Sequence, residues 1–149
     1  MEVDRILFPI DFTWSLEHTE KMVLAAKEMA VRFGAHLVVL FVVADLKLYA
    51  RLPVPHTSLG VLRDEIVAEA EKRMGRFQFE YFEDAADTAF EVRVGDPVEE
   101  ILKAAKDEGA GLVIMGTHGR RGLEHALVGS ITELVIRSCP VPVLCLRLD

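Results

Sequence analysis

The chain predicts an open α/β fold, a mainly parallel sheet with helices on both faces, and three features carry that expectation. The stretch "HLVVLFVV" at 36–43 is a near-continuous apolar, β-branched run, the pattern of a strand covered on both sides. Strand-like and helix-like periodicities alternate along the chain, the order of βαβ units joined by right-handed crossovers. The third is the glycine-rich stretch "MGTHGRRGLEHALVGS" at 115–130, directly after an apolar run at 111–115. Sheets of this kind place their ligand loops there, beyond the carboxyl ends of strands.

Taken in order, "VDRILFPI" at 3–10 reads as the first strand. Leu16, Thr19, Val23, Ala26, Ala30 and Phe33 then recur at helical spacing, with Thr13 or Ser15 as N-cap and Gly34 as the stop. The second strand is 36–43, and a loop at 44–58 carries Pro53 and Pro55. A second helical stripe runs from near Ser58 through Leu59, Leu62, Ile66, Ala70, Met74, Phe77 and Tyr81. "FQFEYF" at 77–82 also alternates like a strand, but the stripe feeds into it and assigns it to the helix.

"AFEVRV" at 89–94 is the third strand. Asp96 as N-cap, Pro97 at the first helical position and Glu99 reaching back start the next helix, which ends at Gly109. The fourth strand is Leu112–Met115. Ser130 is read as the cap of a helix through about Arg137, Pro140 stops it, and "VPVLCLR" at 141–147 is the fifth strand.

Composition narrows the function classes. A length of 149 residues is near that of one domain, so 1–149 is read as a single unit. With 51% hydrophobic and 28% charged residues the chain has the make-up of a soluble globular protein. No apolar stretch reaches the roughly 18 residues of a membrane span, and "MEVDRILFPIDF" puts acidic residues where a signal peptide needs positive charge. The expectation is a cytoplasmic protein. A net charge of −7 without a lysine- or arginine-rich cluster argues against a nucleic-acid partner. Cys139 and Cys145 form no CxxC pair and read as small apolar fillers.

The glycine loop is where chemistry is expected. Glycines at 116, 119, 122 and 129 allow positive φ and close approach of a ligand to bare amides. Gly129-Ser130 opens a helix, whose N-terminus suits an anion, and Arg120 and Arg121 make the loop locally positive against Glu124. There is no GxxxxGK[ST], and the spacing is not the dinucleotide fingerprint. His118 and His125 lack further ligands for a metal site, and His18, His36 and His56 are scattered.

The spacing Gly116-x2-Gly119-x9-Gly129-Ser130 resembles the G-x2-G-x9-G-[ST] nucleotide motif of the universal stress protein family. "ILFPIDFT", "VGDPVEEIL", "GLVIMGTHGRRG" and "CPVPVLCLR" resemble family blocks in family order, across essentially the whole chain. Gly111 stands where the family often has aspartate, and the segments at 44–60 and 75–88 match nothing in detail.

The resemblance implies a five-stranded parallel sheet in the order 3-2-1-4-5, a Rossmann-like adenine-nucleotide fold. It implies ATP, or ADP or AMP, as ligand, with Mg2+ held mostly by phosphate oxygens and water. By position, Pro9 and Asp11 lie near adenosine, and Asp11 either meets a ribose hydroxyl or metal or caps the first helix. The backbone of Val42 reads the adenine edge, Met115 and Gly116 line the ribose and base, and Gly119, Gly129 and Ser130 meet the phosphates. Ile131 completes the helix start, and Thr117, Arg120 and Arg121 are phosphate neighbours. The resemblance also implies a homodimer through the edge strand Val141–Leu146, whose uncovered apolar edge invites pairing. Regulation by nucleotide occupancy is the leading expectation. A slow ATPase or phosphotransferase using Asp11 is the alternative, and a nucleotide-free dimeric scaffold is a third.

Overall fold

A computed structural model describes residues 1–44, 56–85, 87–117 and 129–148. Its elements are β1 (Arg5–Pro9), α1 (Leu16–Phe33), β2 (His36–Ala44), α2 (His56–Phe82), β3 (Thr88–Gly95), α3 (Pro97–Asp107), β4 (Leu112–Thr117), α4 (Ser130–Ser138) and β5 (Val143–Arg147). The five strands form one sheet in the order β3-β2-β1-β4-β5, and every neighbouring pair is parallel.

Two-sided burial explains the apolar runs. Ile6, Phe8, Leu37, Val39, Leu112 and Ile114 join one core with Met22, Val23 and Ala26 of α1 and Met74, Phe77 and Phe82 of α2. The intervening residues Leu7, Val38, Leu40, Val113 and Met115 point the other way, onto Ile101, Ala104 and Ala105 of α3 and Val135 of α4. Period-2 alternation is thus present but invisible as polarity, because both faces are apolar.

The caps follow local chemistry. Ser15 Oγ accepts from the His18 amide at 3.1 Å at the start of α1, which settles the choice between Thr13 and Ser15. Asp96 Oδ1 accepts from the Glu99 amide at 3.0 Å at the start of α3. Helix α2 passes through Gly75 without a break and begins at His56, two residues before the expected Ser58. Strand β4 continues two residues past Met115, to Thr117.

Arg93 fastens β3 to α3. Its Nε donates to Glu91 at 2.7 Å, and its Nη1 lies 3.1 Å from Asp107 and 3.8 Å from Glu100. Burial works against the guanidinium charge, but the bonds to Glu91 and Asp107 outweigh it and hold the group more firmly protonated than usual.

One departure from the family pattern has a packing reason. A Cβ on Gly111 would lie 2.9 Å from the Glu2 carbonyl oxygen and 3.2 Å from Val3 Cα, so the segment before β1 occupies the space an aspartate there would need.

Candidate functional site: a crevice between β1 and β4

Strand order reverses between β1 and β4, because the chain leaves β1 toward β2 on one side and reaches β5 from β4 on the other. Ligands in open α/β sheets sit outside the carboxyl ends of strands at such a point. A crevice of about 170 Å3 opens there, lined by Pro9, Ile10 and Asp11 after β1, Trp14 before α1, and Leu40, Phe41 and Val42 of β2. Pro97 and Ile101 of α3, Met115 and Gly116 of β4, and Ile131 and Thr132 of α4 complete it. A larger, shallower depression lies along Glu69, Lys72, Arg76 and Phe79 of α2, but one helix face gives a ligand nothing to converge on.

Each wall has a local cause. After β1 the chain turns back at Asp11, whose Oδ1 accepts from the Thr13 amide at 2.8 Å and the Thr13 hydroxyl at 2.7 Å. The Trp14 amide closes the turn on the Asp11 carbonyl at 3.2 Å. This carboxylate shapes the β1–α1 turn, while Ser15 caps the helix. On the far wall, Thr132 is buried and its hydroxyl donates to the Gly116 carbonyl at 3.0 Å, fixing the first turn of α4 against the end of β4.

Six of the nine residues expected at the site meet in this crevice: Pro9, Asp11, Val42, Met115, Gly116 and Ile131. Gly129 and Ser130 stand just outside it at the mouth of α4. Gly119, with His118, Arg120, Arg121, Gly122 and His125, lies outside the described residues.

The start of α4 corrects the expectation for Ser130. Gly129, not Ser130, is the N-cap, with φ −63° and ψ 154°, and among the described residues no side chain caps the helix. Neither Gly129 nor Gly116 has positive φ, so freedom of φ is not what these positions use. Gly116 is closely approached, since a Cβ there would lie 2.7 Å from Leu148 Cδ1 and 3.2 Å from Met22 Sδ, so these two side-chain ends would have to shift. Its Cβ direction is thus into the α1 side of the core, and the crevice sees its backbone. Thr117 is likewise spent on structure, its hydroxyl donating to the Leu146 carbonyl at 3.2 Å.

The universal stress protein family profile matches residues 2–147. This chain belongs to the universal stress protein family. Among curated family members it is 33% identical to universal stress protein MJ0577 of Methanocaldococcus jannaschii, over 96% of this chain and 94% of that one. The solved structure of MJ0577 superposes with a TM-score of 0.76 at 27% identity, covering 100% of this chain and 99% of that one. UspA of Lactobacillus plantarum gives 0.73 at 27%, covering 99% of each. The universal stress protein of Archaeoglobus fulgidus, solved in complex with dAMP, shares the fold at 20% identity, with a TM-score of 0.65 and coverage of 97% and 98%.

Beside these universal stress protein features stand residues that the sequence did not mark. Trp14, Phe41, Pro97, Ile101 and Thr132 all reach the crevice, and only Pro97 and Ile101 carried a signal, as the start and apolar face of α3. No helix of the described residues is long and apolar enough to cross a membrane.

Proposed function

We propose that this chain is an adenine-nucleotide-binding universal stress protein, taking ATP, ADP or AMP in the β1–β4 crevice and using its occupancy as a regulatory signal. The observation that carries the reading is the pairing of that crevice with the uncapped N-terminus of α4. Pro9, Val42, Met115 and Ile131 offer an apolar seat for a base. The first amides of α4, with a glycine as N-cap and no capping side chain among the described residues, are the donors for phosphate in this reading. An adenylate is the first ligand to test because the Archaeoglobus relative was solved with dAMP. Pro9, Asp11, Val42, Met115, Gly116, Gly119, Gly129, Ser130 and Ile131 are the proposed contacts. Magnesium accompanying ATP is carried in this reading by phosphate oxygens and water.

Titration calorimetry of magnesium-ATP into nucleotide-stripped protein tests this, beside Gly129→Val. At φ −63° and ψ 154° the backbone of residue 129 is in a region open to any residue, so the variant adds methyls at the mouth of α4 without backbone strain, and circular dichroism checks its fold. Saturable binding in the parent, weakened about ten-fold or more in the variant, is the expected result. No saturable heat in the folded parent would refute the reading.

We further propose that β5 pairs with the same strand of a second copy. It is an edge strand of half-buried residues, and Leu134 and Ile136 of neighbouring α4 are 50% and 43% exposed, an apolar surface continuous with an open edge. Sedimentation at micromolar concentration is expected to give twice the chain mass; a monomer there contradicts the pairing.

A further inference from the structure

Trp14 carries an atom that packing does not explain. Its Nε1 is buried and has no hydrogen-bond partner among the described residues, although a buried indole N–H ordinarily finds an acceptor. Its backbone is fixed in the β1–α1 turn. Its amide closes the turn on Asp11, and its ring lies against Phe8 with centroids 6.4 Å apart and planes at 25°. A phenylalanine would keep the stacking on Phe8 without stranding a donor, so stacking does not account for the indole nitrogen.

The place of that donor matters. Among the described residues lining the crevice, two side chains carry an N–H or O–H: Trp14 and Thr132. Thr132 already donates to the Gly116 carbonyl. Asp11 can only accept when ionised. The indole is therefore the side-chain donor in these described walls that is still available to a ligand rich in acceptor oxygens.

We propose that Trp14 is a ligand-contact residue of this site, donating its indole N–H to a ribose or phosphate oxygen of the bound adenylate. This rests on the adenylate reading above. In the free protein the nitrogen is sealed from solvent, so contact requires the indole to turn toward the crevice. The unmade hydrogen bond raises the free energy of the sealed position and so favours the turn once an acceptor arrives.

The test is a comparison of the parent with Trp14→Phe, titrated with adenosine, AMP and magnesium-ATP, together with the emission of the parent, whose single tryptophan reports on this position alone. Expected are a saturable change in emission that tracks occupancy and an affinity about ten-fold lower in the variant. The ligand-free variant is expected to fold as the parent does, with a modest fall in melting temperature from the smaller ring. A loss already present with adenosine places the acceptor on the ribose, and a loss that begins with AMP or ATP places it on phosphate.

If the parent binds but Trp14→Phe binds equally well, or emission is unchanged at saturation, the contact is refuted and the adenylate reading stands. A variant that no longer folds assigns Trp14 a structural part as well, and the emission of the parent at saturation then decides the contact alone. A parent that binds none of the three ligands overturns both.

Discussion

Replacing Phe8 by alanine is expected to lower the unfolding free energy by about 3–5 kcal/mol. Phe8 is fully buried, and it lies on the central strand, opposite Val39 of β2 and with β4 on the other side. Because β1 is fenced by strands and roofed by α1 and α2, the walls of the cavity have little room to collapse, which places the loss in the upper part of the range for such truncations. The site should feel it as well. The Trp14 ring rests on Phe8, so the β1–α1 turn that forms one wall of the crevice loses its floor.

Urea unfolding followed by circular dichroism measures the first effect, with Phe79→Ala as control. Phe79 is 71% exposed on the outer side of α2, so its truncation should stay within about 0.5 kcal/mol of the parent. A Phe8→Ala loss below about 1 kcal/mol would mean that the core relaxes around β1 far more than its neighbours allow. Against a total stability of about 5–15 kcal/mol for a domain of this kind, the expected loss is a large share.

The same packing explains what was legible in the sequence. Strands β2 and β4 announced themselves because two-sided burial leaves no charged residue to interrupt them, whereas β3, with Glu91 and Arg93, showed itself by alternation. The stretch 77–82 resolved as helix for a reason visible in burial: Phe77 and Phe82 are buried while Phe79 is exposed, and a strand would put Phe77 and Phe79 on one face. The start of α4 was legible only to within one residue. Serine is a common N-cap, but glycine also serves, and the helix begins one step earlier with Ser130 inside its first turn.

Trp14 and Thr132 were not legible because their roles depend on which strand ends meet. Nothing in "FTWSLEH" says that the tryptophan will face β4 and α4 across a crevice. Thr132, read locally, is one more residue of an amphipathic helix, and its bond to the Gly116 carbonyl exists only once α4 packs back on the sheet. Gly116 was legible as special, but only one of its two surroundings was. The local pattern spoke of ligand approach, whereas the atoms nearest its missing Cβ belong to Leu148 and Met22, far away in the sequence.

That difference makes Gly116→Val the sharpest test of what the glycine-rich stretch does. Valine is well suited to a strand, so in an open position on β4 it would be neutral or stabilising. Here it is expected to cost about 1–3 kcal/mol, the range for overpacking a filled core. Leu148 is 2% exposed and Met22 fully buried, so any shift of either end is made within the core. Combining it with Leu148→Ala should recover part of the loss, because the valine fills room that the truncation opens. The double variant is then less destabilised than the sum of the singles, by a coupling of about 1 kcal/mol or more. Strict additivity would show that the two side chains do not compete for the same space. Gly129→Val provides the contrast, since its backbone lies in an extended region open to any residue and its expected defect is in binding with the fold intact. If both variants lose nucleotide but only Gly116→Val loses stability, the two glycines of one motif serve different ends: the first lets the C-terminal segment close over the core, and the second leaves the mouth of α4 bare for phosphate.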